Sequence, residues 1–157
     1  VRPVTRRAAR AVENRGLRLP VEPDGDMPEL PQDITELSDD ELMRLLVVYG
    51  AWTAFAAAVA AGYESDEKDL ETALNRERAA ASLRRPELRT VAAQKAAALS
   101  DAAVEQLDGE HQFVRASRGF AAVARDNAER SGAVVSRELT RRTARHDRET
   151  RTGRWNP

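Results

Sequence analysis

Cysteine is absent from the chain, which excludes a disulfide framework, a thiolate nucleophile and a Cys-ligated zinc site. Histidine is nearly absent. His111 and His146 lie far apart, and neither belongs to an HExxH motif or a carboxylate–histidine cluster, so no metal site is expected. There is no GxSxG elbow and no Walker-type glycine loop. The carboxylates fall in helix-start runs and on solvated faces. Nothing therefore points to nucleophilic or acid–base catalysis, and the expectation is a non-enzyme with no cofactor. Aromatic residues make up only 4% of the chain. Lysine is scarce: of 25 basic residues only Lys68 and Lys95 are lysines, a bias that GC-rich coding explains without invoking nucleic acid. The basic opening "VRPVTRRAARAVENRG" leads into no apolar h-region, so no secretory signal is expected.

Alanine and charge take the place of what is missing. Apolar residues reach 41%, much of it alanine, and charged residues 32%. Alanine favours helix but buries little area, so the composition suits thin helical layers, with oligomerisation as a natural way to bury more. Net charge is −1, yet its layout is uneven. Arg2, Arg6, Arg7, Arg10, Arg15 and Arg18 face a single acid, Glu13. From Glu22 to Glu41 every charge is negative, and past Arg137 the balance is basic again. Basic ends around an acidic stretch fit either solvated tails or contact with phosphates or acidic protein.

The order of elements follows from caps and breakers. Thr5 is placed as the cap of a short helix ending near Asn14 and Gly16. The segment "LPVEPDGDMPELPQD" holds four prolines and reads as an extended arm with little structure of its own. Ser38 and Glu41 form a capping box, with Asp39 and Asp40 on the favourable end of the helix dipole. A long helix is predicted over about 39–84, stopped by Pro86, a short one over 91–98, and a second long one over 101–145 with Ser100 as its cap. The expected organisation is a short basic helix plus acidic arm (1–37), a helical domain (38–148) and a polar tail (149–157). The predicted fold class is all-α: a long helical hairpin or small bundle with an extended N-terminal arm, expected to be oligomeric.

The run "LLVVYGAWTAFAAAVAAGY", Leu45 to Tyr63, carries no charge and is long enough to span a bilayer. Seven of its nineteen residues are alanine, two are glycine and one is threonine, and its large side chains are not spread around the helix. Leu42, Leu45, Tyr49, Trp52, Ala56, Val59 and Tyr63 alternate at three and four and so share one stripe. No basic cluster flanks it closely. The stripe, with Leu42, Leu45, Tyr49, Trp52, Val59 and Tyr63 as its large members, is read as a dry core or oligomer seam, with no membrane. In the second long helix the expected stripe is Val104, Leu107, His111, Val114, Ala121, Ala124, Ala128, Val135 and Leu139. Phe113, Phe120 and Val123 sit on an adjacent face, as if that helix met two partners.

The segment "VVYGAW", with Tyr49 and Trp52 three apart in a long amphipathic helix, resembles the UvsY-type recombination mediators of bacteriophages. "ETALNRERAA" lies where that family carries a basic, DNA-contacting segment. "TVAAQKAAALSDAAV" and "RDNAERSGAVVSRELTRR" are similar to its short middle helix and last long helix, so the likeness covers about residues 38–143. Where the family has Lys and Arg two apart, this chain has Asn75 and Glu77, with Arg76 and Arg78 beside them. The resemblance implies a ring-like homo-oligomer that binds single-stranded DNA and helps a RecA-like recombinase displace single-strand-binding protein. Such a protein works in the cytoplasm, that of the host cell if phage-encoded.

Independently, Arg76, Arg78, Arg84, Arg85 and Arg89 gather at the end of the first long helix and the turn after it. Repeated around an oligomer, they could follow a phosphate backbone; equally, a helix C-terminus favours cations on its own account. With few aromatics to stack on bases, binding would be mainly electrostatic. The competing expectation is a phage structural or scaffolding subunit that braces an assembly through its terminal arms.

Overall fold

The computed structural model describes residues 3–84, 88 and 90–153. The fold is all-α, with helices α1 (Pro3–Glu13), α2 (Asp39–Leu83), α3 (Val91–Leu99) and α4 (Ala102–Gly153), a 3-10 turn at Ile34–Glu36, and no strand among the described residues. The chain forms two compact units. One comprises residues 1–19 and 58–122, the other 20–57 and 123–157. This differs from the expected division into arm, helical domain and tail, because both long helices run through both units. In each unit α2 and α4 pair antiparallel, as a helical hairpin requires: Glu67 meets Arg118 and Arg78 meets Asp108 in the first, and Asp39 meets Arg142 in the second.

In the first unit, Leu74, Ala81, Ala98 and Val104 form the core, with Leu107 packed against it. Leu70 is also wholly buried. In the second, Leu42, Tyr49 and Val135 are fully buried, with Leu45, Leu46 and Leu139 around them. The stripe read from the sequence is covered only in part by the chain itself. Leu42, Tyr49 and Ala56 are buried, while Leu45, Trp52, Val59 and Tyr63 are half-buried, and Trp52 stacks edge-on against Phe55 at 5.9 Å. The opposite side of α2, at Met43, Val47, Gly50 and Ala54, is exposed; by length and composition alone α2 could cross a membrane, and 11% of its most apolar window is buried.

Capping explains most boundaries. Ser38 N–H donates to Glu41 at 2.7 Å and Glu41 N–H to Ser38 Oγ at 3.3 Å, the reciprocal box that starts α2. Thr90 caps α3 by accepting from Ala93 N–H. Two expectations are corrected. α4 is capped by Asp101, whose carboxylate accepts from Ala103 N–H at 3.1 Å, whereas Ser100 closes α3. α1 begins at Pro3, which needs no amide partner in a first turn, so Thr5 is inside the helix and its hydroxyl is free for other work. Gly16, at φ 80°, ends the local turn: its N–H bonds to Glu13 O and that of Leu17 to Val12 O, the paired bonds of a Schellman close. α4 also continues past the expected end at 145 to Gly153.

The proline-rich arm is part of the second unit's core. Met27, Leu30, Ile34 and Leu37 pack on the Leu42–Tyr49–Val135 cluster. Tyr49 donates its hydroxyl proton to Pro28 O at 3.2 Å. Arg142 then clasps the arm. Its guanidinium donates to the carbonyls of Leu37 (2.7 Å), Thr35 (2.9 Å) and Ile34 (3.3 Å), and to the carboxylates of Asp39 and Glu138, both at 2.8 Å. The carbonyls of the 3-10 turn and of the extended Leu37 after it are thus gathered by one planar fork.

Candidate nucleic-acid interface

α1 docks on the first unit through Thr5, Ala9 and Val12, half-buried at helical spacing. Thr5 Oγ1 donates to the carboxylate of Asp66, a residue only 5% exposed. Gly62 lies beside it: a Cβ there would be in ordinary van der Waals contact with Thr5 Cγ2, at 3.9 Å. With that stripe turned inward, Arg6, Arg7 and Arg10 are exposed, and none of them makes an ion pair among the described residues. They line a groove of about 530 Å³ with Ala11 and Asn14. Three guanidiniums stand on one and a half turns with no acid between them, a local concentration of positive charge.

The arginines singled out in α2 fare differently. Arg76 is exposed and makes no ion pair among the described residues. Arg78 donates to Asp108 at 3.0 Å, and its Nε is buried. Arg84 bridges Asp101 at 3.0 Å and also pairs with Glu77. These last two tie α2 to the loop and start of α4, and a phosphate would have to displace a carboxylate to reach either. Arg85 and Arg89 lie outside the described residues. Beside Arg78, Lys95 is exposed and shares with it a second groove of about 340 Å³, otherwise lined by Ala79, Ser82, Ala98 and Leu99.

The basic character of α4's far end is largely neutralised. Arg141 and Arg142 both hydrogen-bond Glu138, and Arg145 pairs with Glu149 at 2.9 Å. Hydrogen bonds from Arg141, then Arg142, hold the buried Glu138 carboxyl down to about 2, from an ordinary 4.5. In the first unit, exposed cations without an ion pair among the described residues are Arg6, Arg7 and Arg10 of α1, Arg15 and Arg18 just after it, Arg76, Lys95 and Arg115. The sequence signal for α1 was the arginine run facing Glu13 alone; what it could not give was which of those arginines the fold would leave unpaired.

No family model, curated protein or solved structure matches the chain.

Proposed function

We propose that this protein is a non-catalytic recombination mediator of bacteriophage type, which binds single-stranded DNA and assists a RecA-like recombinase in displacing single-strand-binding protein. It acts as a homo-oligomer in the cytoplasm, without a cofactor. The observation that carries this reading is the unpaired arginine face of α1, Arg6, Arg7 and Arg10, on the same unit as the exposed Arg76. Flexible cations without aromatic platforms suit a phosphate backbone read without sequence preference. The resemblance around Tyr49 and Trp52 supplies the recombination context.

The test is fluorescence anisotropy with labelled oligo-dT. The wild type binds at low salt and releases steeply as salt rises. Arg6→Ala/Arg7→Ala/Arg10→Ala with Arg76→Ala loses binding while helicity is unchanged. Unaltered binding by the quadruple variant would remove the reading's basis.

A second reading is favoured by the clasped arm: a structural or scaffolding subunit of a phage particle. It predicts co-sedimentation with procapsids and no retention of oligo-dT.

A further inference from the structure

The outward face of α4 carries Phe113, Phe120 and Val123 at 70%, 76% and 56% exposure. Such exposure of two phenylalanines on one helix face is a large departure for a surface. They belong to a line, Gly109, Phe113, Ala116, Phe120, Val123 and Asn127, spaced 4-3-4-3-4 on one continuous helix. No charged residue stands on that line over its length of about 27 Å. Arg118, in the same stretch, is turned inward by its ion pair with Glu67 at 3.1 Å.

From this we infer that α4 pairs with α4 of a second copy, antiparallel, about a two-fold axis level with Arg118. The spacing is the same read in either direction, so reversal lays the line upon itself. Gly109 then faces Asn127, Phe113 faces Val123, and Phe120 faces Ala116, a large ring over a small side chain at the centre. Charge agrees with the direction. Glu105 stands just before the line and Arg130 just after it, both exposed and without an ion pair among the described residues. Antiparallel pairing brings each Glu105 within one residue of the position facing the other copy's Arg130. Parallel pairing would set Glu105 on Glu105, Arg130 on Arg130 and ring on ring, which like-charge repulsion and packing both oppose. The seam is isologous, the kind that closes at two copies. Four phenylalanines at these exposures supply roughly 500 Å², against about 1,200 Å² for the smaller specific interfaces, so the pair is a reversible one.

Because the chain has no cysteine, engineered thiols report the register directly. A Cβ at Gly109 meets nothing within 4 Å, and Asn127 is exposed, so both sites accept cysteine. Gly109→Cys and Asn127→Cys chains, oxidised separately, should stay uncrosslinked; mixed, they should give the heterodimer. Homodimers in the separate samples would show a parallel seam and overturn the proposal, as would no crosslink in the mixture. In sedimentation, Phe113→Glu/Phe120→Glu should weaken self-association by about tenfold or more without loss of helicity. Glu105→Arg should weaken it, and Glu105→Arg/Arg130→Glu should restore it. None of these readouts involves DNA, so their failure would remove this seam and leave the DNA-binding part of the proposed function to its own test. Unchanged association in the double-glutamate variant would place the interface elsewhere.

Discussion

Among the described residues Tyr49 is the bulkiest side chain wholly removed from solvent, and it is anchored at both ends: its ring lies in the Leu42–Val135 cluster and its hydroxyl on Pro28 O. Burial raises its phenol above the ordinary value, against a hydrogen bond with Ser131. Removing only the hydroxyl, Tyr49→Phe, should cost about 1 kcal/mol in urea unfolding. Tyr49→Ala should cost about 3–5 kcal/mol, because the cavity would open between α2, α4 and the arm together. Glu138 makes a different statement. Its folded value, about 2, lies below the ordinary 4.5, so its contribution is fully present above 4.5 and disappears as pH falls through 2. Glu138→Gln should therefore flatten the acid limb of the stability profile and leave the chain less stable at neutral pH, measured by thermal melts from pH 2 to pH 7. The sequence showed Tyr49 through its stripe. It did not show Glu138, since a glutamate three and four residues before two arginines reads equally well as a solvated helix pair.

At the scale of elements, the long helices were legible because capping and breaker signals are local: Ser38 with Glu41 and Gly16 each act within a turn. The arm was not. Four prolines announce extended backbone, but whether extended backbone is docked depends on Arg142, more than a hundred residues away, and on the apolar residues Met27, Leu30, Ile34 and Leu37 that the acidic charges around them obscure. Arg142→Ala should release five donated hydrogen bonds and leave the carbonyls of residues 34, 35 and 37 to water. Hydrogen exchange should then rise over residues 20–37 and remain near wild type in α3, which belongs to the other unit. Glycines separate by the same kind of non-local fact. A Cβ at Gly50 meets nothing, whereas one at Gly132 lies 3.5 Å from Tyr49 Cβ. Gly50→Ala should stabilise by about 0.5–1 kcal/mol, while Gly132→Val should destabilise, by forcing Tyr49 from its place.

For the molecule as a whole, the candidate site was half visible in advance. Arginine-rich segments stood out in the sequence, but ion pairing is a tertiary property. Asp108 and Asp101 claim Arg78 and Arg84, while Arg6, Arg7 and Arg10 meet no acid because α1's docking stripe holds none of them. That census sets the strength of the salt effect. With the four arginines of the proposed site, Arg6, Arg7, Arg10 and Arg76, each on a phosphate, the slope of log affinity against log salt is about −3 for single strands, and two chains on one strand give about twice that. A slope measured at a fixed oligonucleotide length therefore counts how many copies engage the same strand.

Thr5 and Asp66 decide more than where α1 rests. A helix held only by alanine and valine can roll on its neighbour, and a rolling helix scatters its outward groups over a wide arc. The hydroxyl–carboxylate bond pins one side of α1 and opposes the roll, so three guanidiniums keep a common bearing. A threonine with no role in recognition thereby sets the aim of the face that would meet a polyanion.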